Sequence, residues 1–410
     1  MLLERWAIER VREALSVMPA VFLQGARQVG KTTLAYQLLA EGLMDAYFTL
    51  DDLTTLQSAQ QDPKGFVETL PERAILDEVQ RVPQLLLPLK QRIDSARKAG
   101  MFLLTGSANP LTLPQVADAL VGRMGIVMLH PFSQGELEQT RERWLARAFE
   151  GAFVMRTDLD PRDLWERVLR GGYPQAVAQP TLSQCQMWLR AYAETLLTWD
   201  VRLLADIERI ADMGRLLRLL AAQSGQLLNL SNLSREIGTP HSTLQRYLHL
   251  LETLLVVMRI PPWHANISQQ LLKTPKVFLN DTGLALAVLG VGEERLSQDE
   301  QLRGRMLEAF VANELLKQIS YAEATYRLYY LRTSKGREVD LIVENAQGQV
   351  IGVEVKAAAT VNAEDFRHLR ALAQSVGERW VGGYVLYTGT AQVPFGNRLW
   401  ALPVPSLWEA

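Results

Sequence analysis

The octapeptide GARQVGKT at residues 25–32 limits the fold of this chain more than any other stretch. It follows an apolar run, AVFLQ, and opens a helix-forming run, TLAYQLLAEG, so a strand turns into a helix where Gly25, Gly30, Lys31 and Thr32 take the G-x-x-x-x-G-K-[ST] spacing. The chemistry needs those residue types. Glycines let successive backbone N–H groups curl around an anion, and the N-terminus of the following helix favours negative charge. Gly25, Ala26, Arg27, Gln28, Val29, Gly30, Lys31, Thr32 and Thr33 are therefore expected to cradle the phosphates of ATP. Lys31 would reach the β/γ-phosphates, Thr32 would ligate Mg2+, and Gly42 would end the helix.

Such a loop needs a sheet behind it. Between residues 20 and 130 the apolar runs AVFLQ, AYFTL, AILDE, MFLLT and GIVML alternate with helical stretches, the pattern of a parallel α/β sheet covered on both faces. RAILDEVQRVP puts Asp77 and Glu78 at the C-terminal end of one strand, where ligands sit in such sheets. Asp77 is expected to hold Mg2+, directly or through water, and Glu78 to orient or deprotonate the attacking water. MFLLTGSANP brings Ser107 and Asn109 to the same edge, one of them to touch the γ-phosphate or the water. Arg123, in ALVGRMG, is either a finger reaching a neighbouring subunit's γ-phosphate or an ordinary surface arginine.

The rest of the chain sets the surroundings of that core. Its 410 residues exceed one compact domain, and the patterning divides them at 1–150, 151–265 and 266–410. A formal net charge of -2 gives no global attraction for nucleic acid or an anionic membrane, so such binding must come from a local patch. The single cysteine, Cys185, excludes an internal disulfide and thiolate zinc sites, and it fits a reducing compartment. The N-terminal MLLERWAIERVREAL reads as a helix rather than a signal, and no stretch reaches the ~18 apolar residues of a membrane span, so the expected location is the cytoplasm.

NLSNLSREIGTPHSTLQRYLHLLETLLVVMRI holds two short helices separated by Gly238, with Thr239 as cap and Pro240 in the first turn of the second. Leu244, Tyr247, Leu248 and Leu251 share one face, leaving His241, Ser242, Gln245, Arg246 and His249 outside. This is a helix-turn-helix pattern followed by a strand suited to a wing, and residues 215–260 carry five arginines against two glutamates. DNA is the expected partner of His241, Ser242, Gln245 and Arg246; a protein-contact or lid module is the alternative.

GREVDLIVENAQGQVIGVEVKA predicts a hairpin turning near Gln347 and Gly348, with Asp340 opposite Glu354 and Lys356 on the same face. Two carboxylates beside a lysine can bind Mg2+ and position a water for phosphodiester hydrolysis. Glu308, on the helix GRMLEAFVANELLKQ, is the further candidate ligand; Glu314 is a poorer one, and Lys356 acts as partner rather than ligand. The spacing resembles the PD-(D/E)xK pattern of restriction endonucleases and Holliday junction resolvases, with Val339 where that pattern has proline.

Taken together, GARQVGKTTL, AILDEVQRVP, LLTGSANP, LVGRMGIVMLHPFS, LRGGYPQA, TPHSTLQRYLHLLE, KVFLNDTGLA and the EVD/EVK pair resemble, nearly end to end, a bacterial and archaeal family of AAA-type ATPases with an endonuclease-like C-terminal domain. The resemblance implies a multidomain α/β protein: an AAA-type P-loop sheet, a helical middle with a winged helix, and an α+β domain of the restriction-endonuclease kind. It also implies a homo-oligomer, hexameric in the simplest form, whose subunits share nucleotide sites. The C-terminal domain could cut, only bind, or be vestigial. Three activities stay open: a DNA-remodelling ATPase, an ATP-regulated nuclease, and a signalling NTPase. Asp281 belongs to the same motifs without an evident role.

Overall fold

The computed structural model describes residues 3–107, 120–157, 160–161, 163–200, 210–264, 274–333 and 336–409. Asn109 lies outside the described residues. The chain packs as two compact units, Met1–Pro131 with Thr253–Leu255, and Phe132–Glu252 with Val256–Ala410.

In the first unit the five apolar runs become five strands: β1 (Ala20–Gln24), β2 (Ala46–Thr49), β3 (Ala74–Asp77), β4 (Phe102–Gly106) and β5 (Met124–Met128). All pair parallel, in the order β2-β3-β4-β1-β5. The inner strands β1, β3 and β4 are buried along their whole length, whereas the edge strand β2 is half-buried throughout, which is why only the inner runs are uniformly apolar. Phe22, Leu76, Phe102 and Leu104 pack in one core with Leu86, Leu89 and Ile93 from the helix Leu86–Ala96. Parallel pairing brings the ends of β1, β3 and β4 to one edge, and β4 stands between the other two.

The second unit contains helices Ile210–Ala222, Leu230–Ile237 and His241–Thr253, with β6 (Gln226–Leu227), β7 (Val257–Ile260) and β8 (Lys276–Leu279) in the antiparallel order β6-β8-β7. Gly238, at φ 75°, caps the middle helix in the left-handed conformation, as its place between two helices predicts. Leu244, Tyr247, Leu248 and Leu251 are buried, while His241, Ser242, Gln245, Arg246 and His249 are exposed. The cap expected of Thr239 is not its position. The last of the three helices starts at His241, so Thr239 precedes its cap site, and its hydroxyl donates to Asp212 Oδ2 at 2.9 Å.

A mixed sheet completes this unit: β9 (Tyr326–Arg332), β10 (Glu338–Asn345), β11 (Val350–Lys356), β12 (Trp380–Tyr387), β13 (Val393–Gly396) and β14 (Leu399–Pro403), ordered β13-β14-β12-β11-β10-β9. The β10–β11 register pairs Leu341 with Val353, and one step further sets Asp340 opposite Glu354, as the alternation predicts. Gly348, at φ 75°, turns the hairpin. The helix Glu300–Tyr321 supplies Glu308 and Glu314.

Asp281 acquires a physical role here. Its carboxylate is buried, accepts from Leu284 N at 2.8 Å to cap the helix Thr282–Leu289, and accepts from Gly172 N at 2.7 Å. A Cβ at Gly171 would meet Asp281 Oδ1 at 2.0 Å, so LRGGYPQA needs its glycine for this approach. Among the described residues no helix is long and apolar enough to cross a membrane.

Candidate functional sites

The phosphate loop takes the shape its composition allows. Gly30 has φ 101° and Gln28 φ 66°, both left-handed, which reverses the chain so that the helix Lys31–Ala40 begins at the lysine. Gly25 touches the neighbouring chain segment so closely that an added Cβ would lie 2.4 Å from Leu129 O. Lys31 is buried, and Nζ donates to Gly25 O at 3.0 Å and Ala26 O at 3.1 Å. Its ammonium is thus folded back over the loop's own carbonyls. Arg5 braces the loop from behind: Nη1 donates to Val29 O at 2.8 Å and Nη2 to His130 O at 2.6 Å. Nothing in the sequence around Arg5 marks this role, because the partners are 24 and 125 residues away.

At the same edge Thr32 Oγ1 donates to Asp77 Oδ2 at 3.2 Å. The Tyr47 hydroxyl donates to the same oxygen at 2.6 Å, and the Thr105 hydroxyl donates to Asp77 Oδ1. Burial, and then the Asp77 carboxylate, hold the Tyr47 phenol well above its ordinary value, so it serves as a donor. Glu78 follows in the left-handed region at φ 59°, a conformation that costs a non-glycine residue about 1–3 kcal/mol. Its N–H donates to Thr105 Oγ1 at 3.2 Å. Gln80 Nε2 donates both to Glu78 Oε2 and, at 3.2 Å, to Ser107 Oγ, so Glu78 and Ser107 are joined through a glutamine that the motif reading omits. Lys31, Thr32, Asp77, Glu78 and Ser107 therefore meet at one edge. Thr105 and Tyr47 join them from strands whose register decides the contact, and Gln80 from the 3-10 turn Val79–Arg81 that follows β3.

Arg123 lies elsewhere. It precedes β5, at the strand-start edge opposite the phosphate loop, and binds Asp94 through Nε and through Nη2 at 3.1 Å.

The second acidic group differs from its expected form. Asp340 Oδ2 accepts from Val355 N at 2.8 Å, and Glu308 reaches the same region from its helix. Between them stands Lys276, the first residue of β8, with Nζ 2.7 Å from Glu308 Oε1, 3.3 Å from Glu338 Oε1 and 4.0 Å from Asp340 Oδ1. Burial pulls this ammonium down, and Glu308, Asp340 and Glu338 more than offset it, leaving it above its ordinary value. Burial and then Asp340 push the Glu308 carboxyl up to about 8 and hold Glu354 well above the usual carboxylate range. Lys356 faces Asp365 at 4.0 Å. Glu314 is removed from the group: it accepts from Gln134 N at 2.8 Å and from Lys317 Nζ at 2.7 Å. Among the described residues no three His, Cys, Asp or Glu side chains are arranged to hold a metal ion. Of the expected metal set, Glu308 and Asp340 meet an internal cation that the hairpin pattern cannot reveal, since Lys276 lies outside it.

Residues 18–138 match the family model of an AAA domain, and residues 161–295 and 303–407 match two domains of unknown function, DUF8612 and DUF4143. Among solved structures, the Walker-type ATPase PABY2304 of Pyrococcus abyssi aligns with 17% identity over 70% of this chain and 96% of that one, at a TM-score of 0.44. The uncharacterized proteins Rv2008c of Mycobacterium tuberculosis and Mb2031c of Mycobacterium bovis are each 30% identical over 412 residues, covering 99% of this chain and 85% of theirs. The chain belongs to the family of those two proteins, and its first unit is an AAA domain of the P-loop ATPase kind.

Proposed function

We propose that the first unit binds and hydrolyses ATP and that turnover drives remodelling of, or movement on, DNA held by the second unit. The observation carrying the first half is the meeting of Thr32, Asp77, Glu78 and Ser107 beside Lys31 at one sheet edge. The donor set fits Mg2+: cis oxygens around an octahedral ion lie about 3 Å apart, and Thr32 Oγ1 and Asp77 Oδ2 are 3.2 Å apart. Mg2+ on these two residues would neutralise charge on the β- and γ-phosphates. Lys31 exchanges its carbonyl partners for phosphate oxygens. Glu78, steadied by Gln80, orients the attacking water and accepts its proton. Ser107, bound to the same glutamine, is poised to follow the γ-phosphate.

Arg123 cannot serve the loop of its own chain from the opposite edge, so as a finger it acts on a neighbouring subunit, which makes the active form a homo-oligomer. DNA contact rests on the helix–strand–helix–helix–strand–strand order of residues 210–279, that of a winged helix, and on exposed His241, Ser242, Gln245 and Arg246. The test is ATP turnover with and without single-stranded, duplex and four-way-junction DNA. Stimulation that disappears in Lys31→Ala and weakens in a Gln245→Ala/Arg246→Ala variant supports the proposal. Turnover indifferent to every DNA structure, with ATP-dependent assembly intact, would favour a switch acting on protein partners instead.

A further inference from the structure

The PD-(D/E)xK-like spacing implies a divalent metal at Asp340 and Glu354, and the residues present do not fit one. We infer that the cation of this cluster is the chain's own Lys276 ammonium, which holds the place of a metal and ties two sheets of the second unit together. Nζ is 2.7 Å from Glu308 Oε1, so an ion bound at Mg2+ distances of about 2.0–2.1 Å on the side of that oxygen facing Asp340 would overlap the nitrogen. Two cations in one buried space repel strongly.

Lys276 has little freedom to withdraw. Its side chain is 2% exposed, and its strand pairs on both sides, with Leu227 of β6 and Ile260 of β7. The adjoining backbone is stitched to the second sheet: Trp263 N donates to Tyr330 O at 2.6 Å, Tyr330 N to Pro261 O at 3.2 Å, and the Tyr330 hydroxyl to Thr274 O. Gly225 lies beside Glu308, where an added Cβ would come within 3.2 Å of Oε2. The remaining carboxylate, Glu354, is 5% exposed and its Oε1 makes no hydrogen bond, so the cluster has an oxygen to spare that the ammonium does not reach. Removal of the ammonium would leave Glu308, Glu338 and Asp340 around a vacant cation position.

Mn2+ uptake by the nucleotide-free full-length chain, followed through the electron paramagnetic resonance of the free ion, tests this independently of ATP turnover. Wild type and Asp340→Asn are expected to take up the same amount. Lys276→Met, which keeps an apolar stem but has no atom at the Nζ position, should gain one further ion per chain, bound at least about tenfold more tightly than any uptake of the wild type. That gain should vanish in Lys276→Met/Asp340→Asn. A wild-type site lost in Asp340→Asn would overturn the inference, as would a folded Lys276→Met without the gain. Should Lys276→Met fail to fold, wild type against Asp340→Asn still decides: equal uptake supports the internal cation, and a lost ion refutes it.

Discussion

Asp77 sits among hydroxyls, whereas Asp340 sits near an ammonium. Thr32, Thr105 and Tyr47 give Asp77 three neutral donors, which fix the carboxylate without cancelling its charge. Lys276 brings a full positive charge to Glu308, Glu338 and Asp340. Both groups are acidic, yet only the second already holds a cation of its own among its carboxylates. A carboxylate's neighbours, rather than its place on a strand, decide whether it invites a metal.

Substitutions at matched positions sharpen this contrast. The largest effect is expected on ATP turnover: Asp77→Asn or Glu78→Gln should lower phosphate release by about 10²–10⁴-fold, while Asp340→Asn stays within about twofold. Equal losses in both would break the distinction. The two buried lysines give the next test, in stability measured by urea unfolding. Lys276→Ala strands buried carboxylates and should cost about 3–5 kcal/mol. Lys31→Ala, which removes hydrogen bonds to two carbonyls, should cost about 1 kcal/mol while abolishing ATP retention. A smaller effect belongs to Tyr47→Phe, which deletes one donor to Asp77: about 1 kcal/mol of stability and a fall in turnover below about tenfold.

The last expected effect is on pH dependence. Glu308 titrates at about 8 in the folded chain against an ordinary 4.5, so the unfolded chain loses this proton first. Its contribution to stability is complete below the ordinary value and is lost as pH rises through about 8. Glu308→Gln, neutral throughout, should flatten the decline in urea midpoint between about pH 5 and 8; an unchanged slope would deny that Glu308 titrates there.

The same contrast explains what the sequence disclosed. Phosphate binding uses backbone groups of consecutive residues, so Gly25 through Thr33 were legible as a string, and β1, β3 and β4 as buried apolar runs. Hairpin alternation likewise set Asp340 against Glu354. Tyr47 and Thr105 were not legible, because each meets Asp77 only when strands align, nor was Arg5, whose partners lie far along the chain. Lys276 was hidden for the same reason: it opens an apolar strand, and its carboxylate partners lie 32 or more positions away. Strands β13 and β14 were missed as well, being short and broken by proline and glycine.

Lys276 also bears on how this chain can be taken apart. The match to the C-terminal domain spans residues 303–407, downstream of Lys276 and of the Pro261–Trp263 segment that lies along β9. A fragment cut there keeps Glu308, Glu338 and Asp340, discards their counter-charge, and opens an edge strand to solvent. Ion uptake at this cluster and edge-to-edge adhesion through β9 in such a fragment would be produced by the scissors.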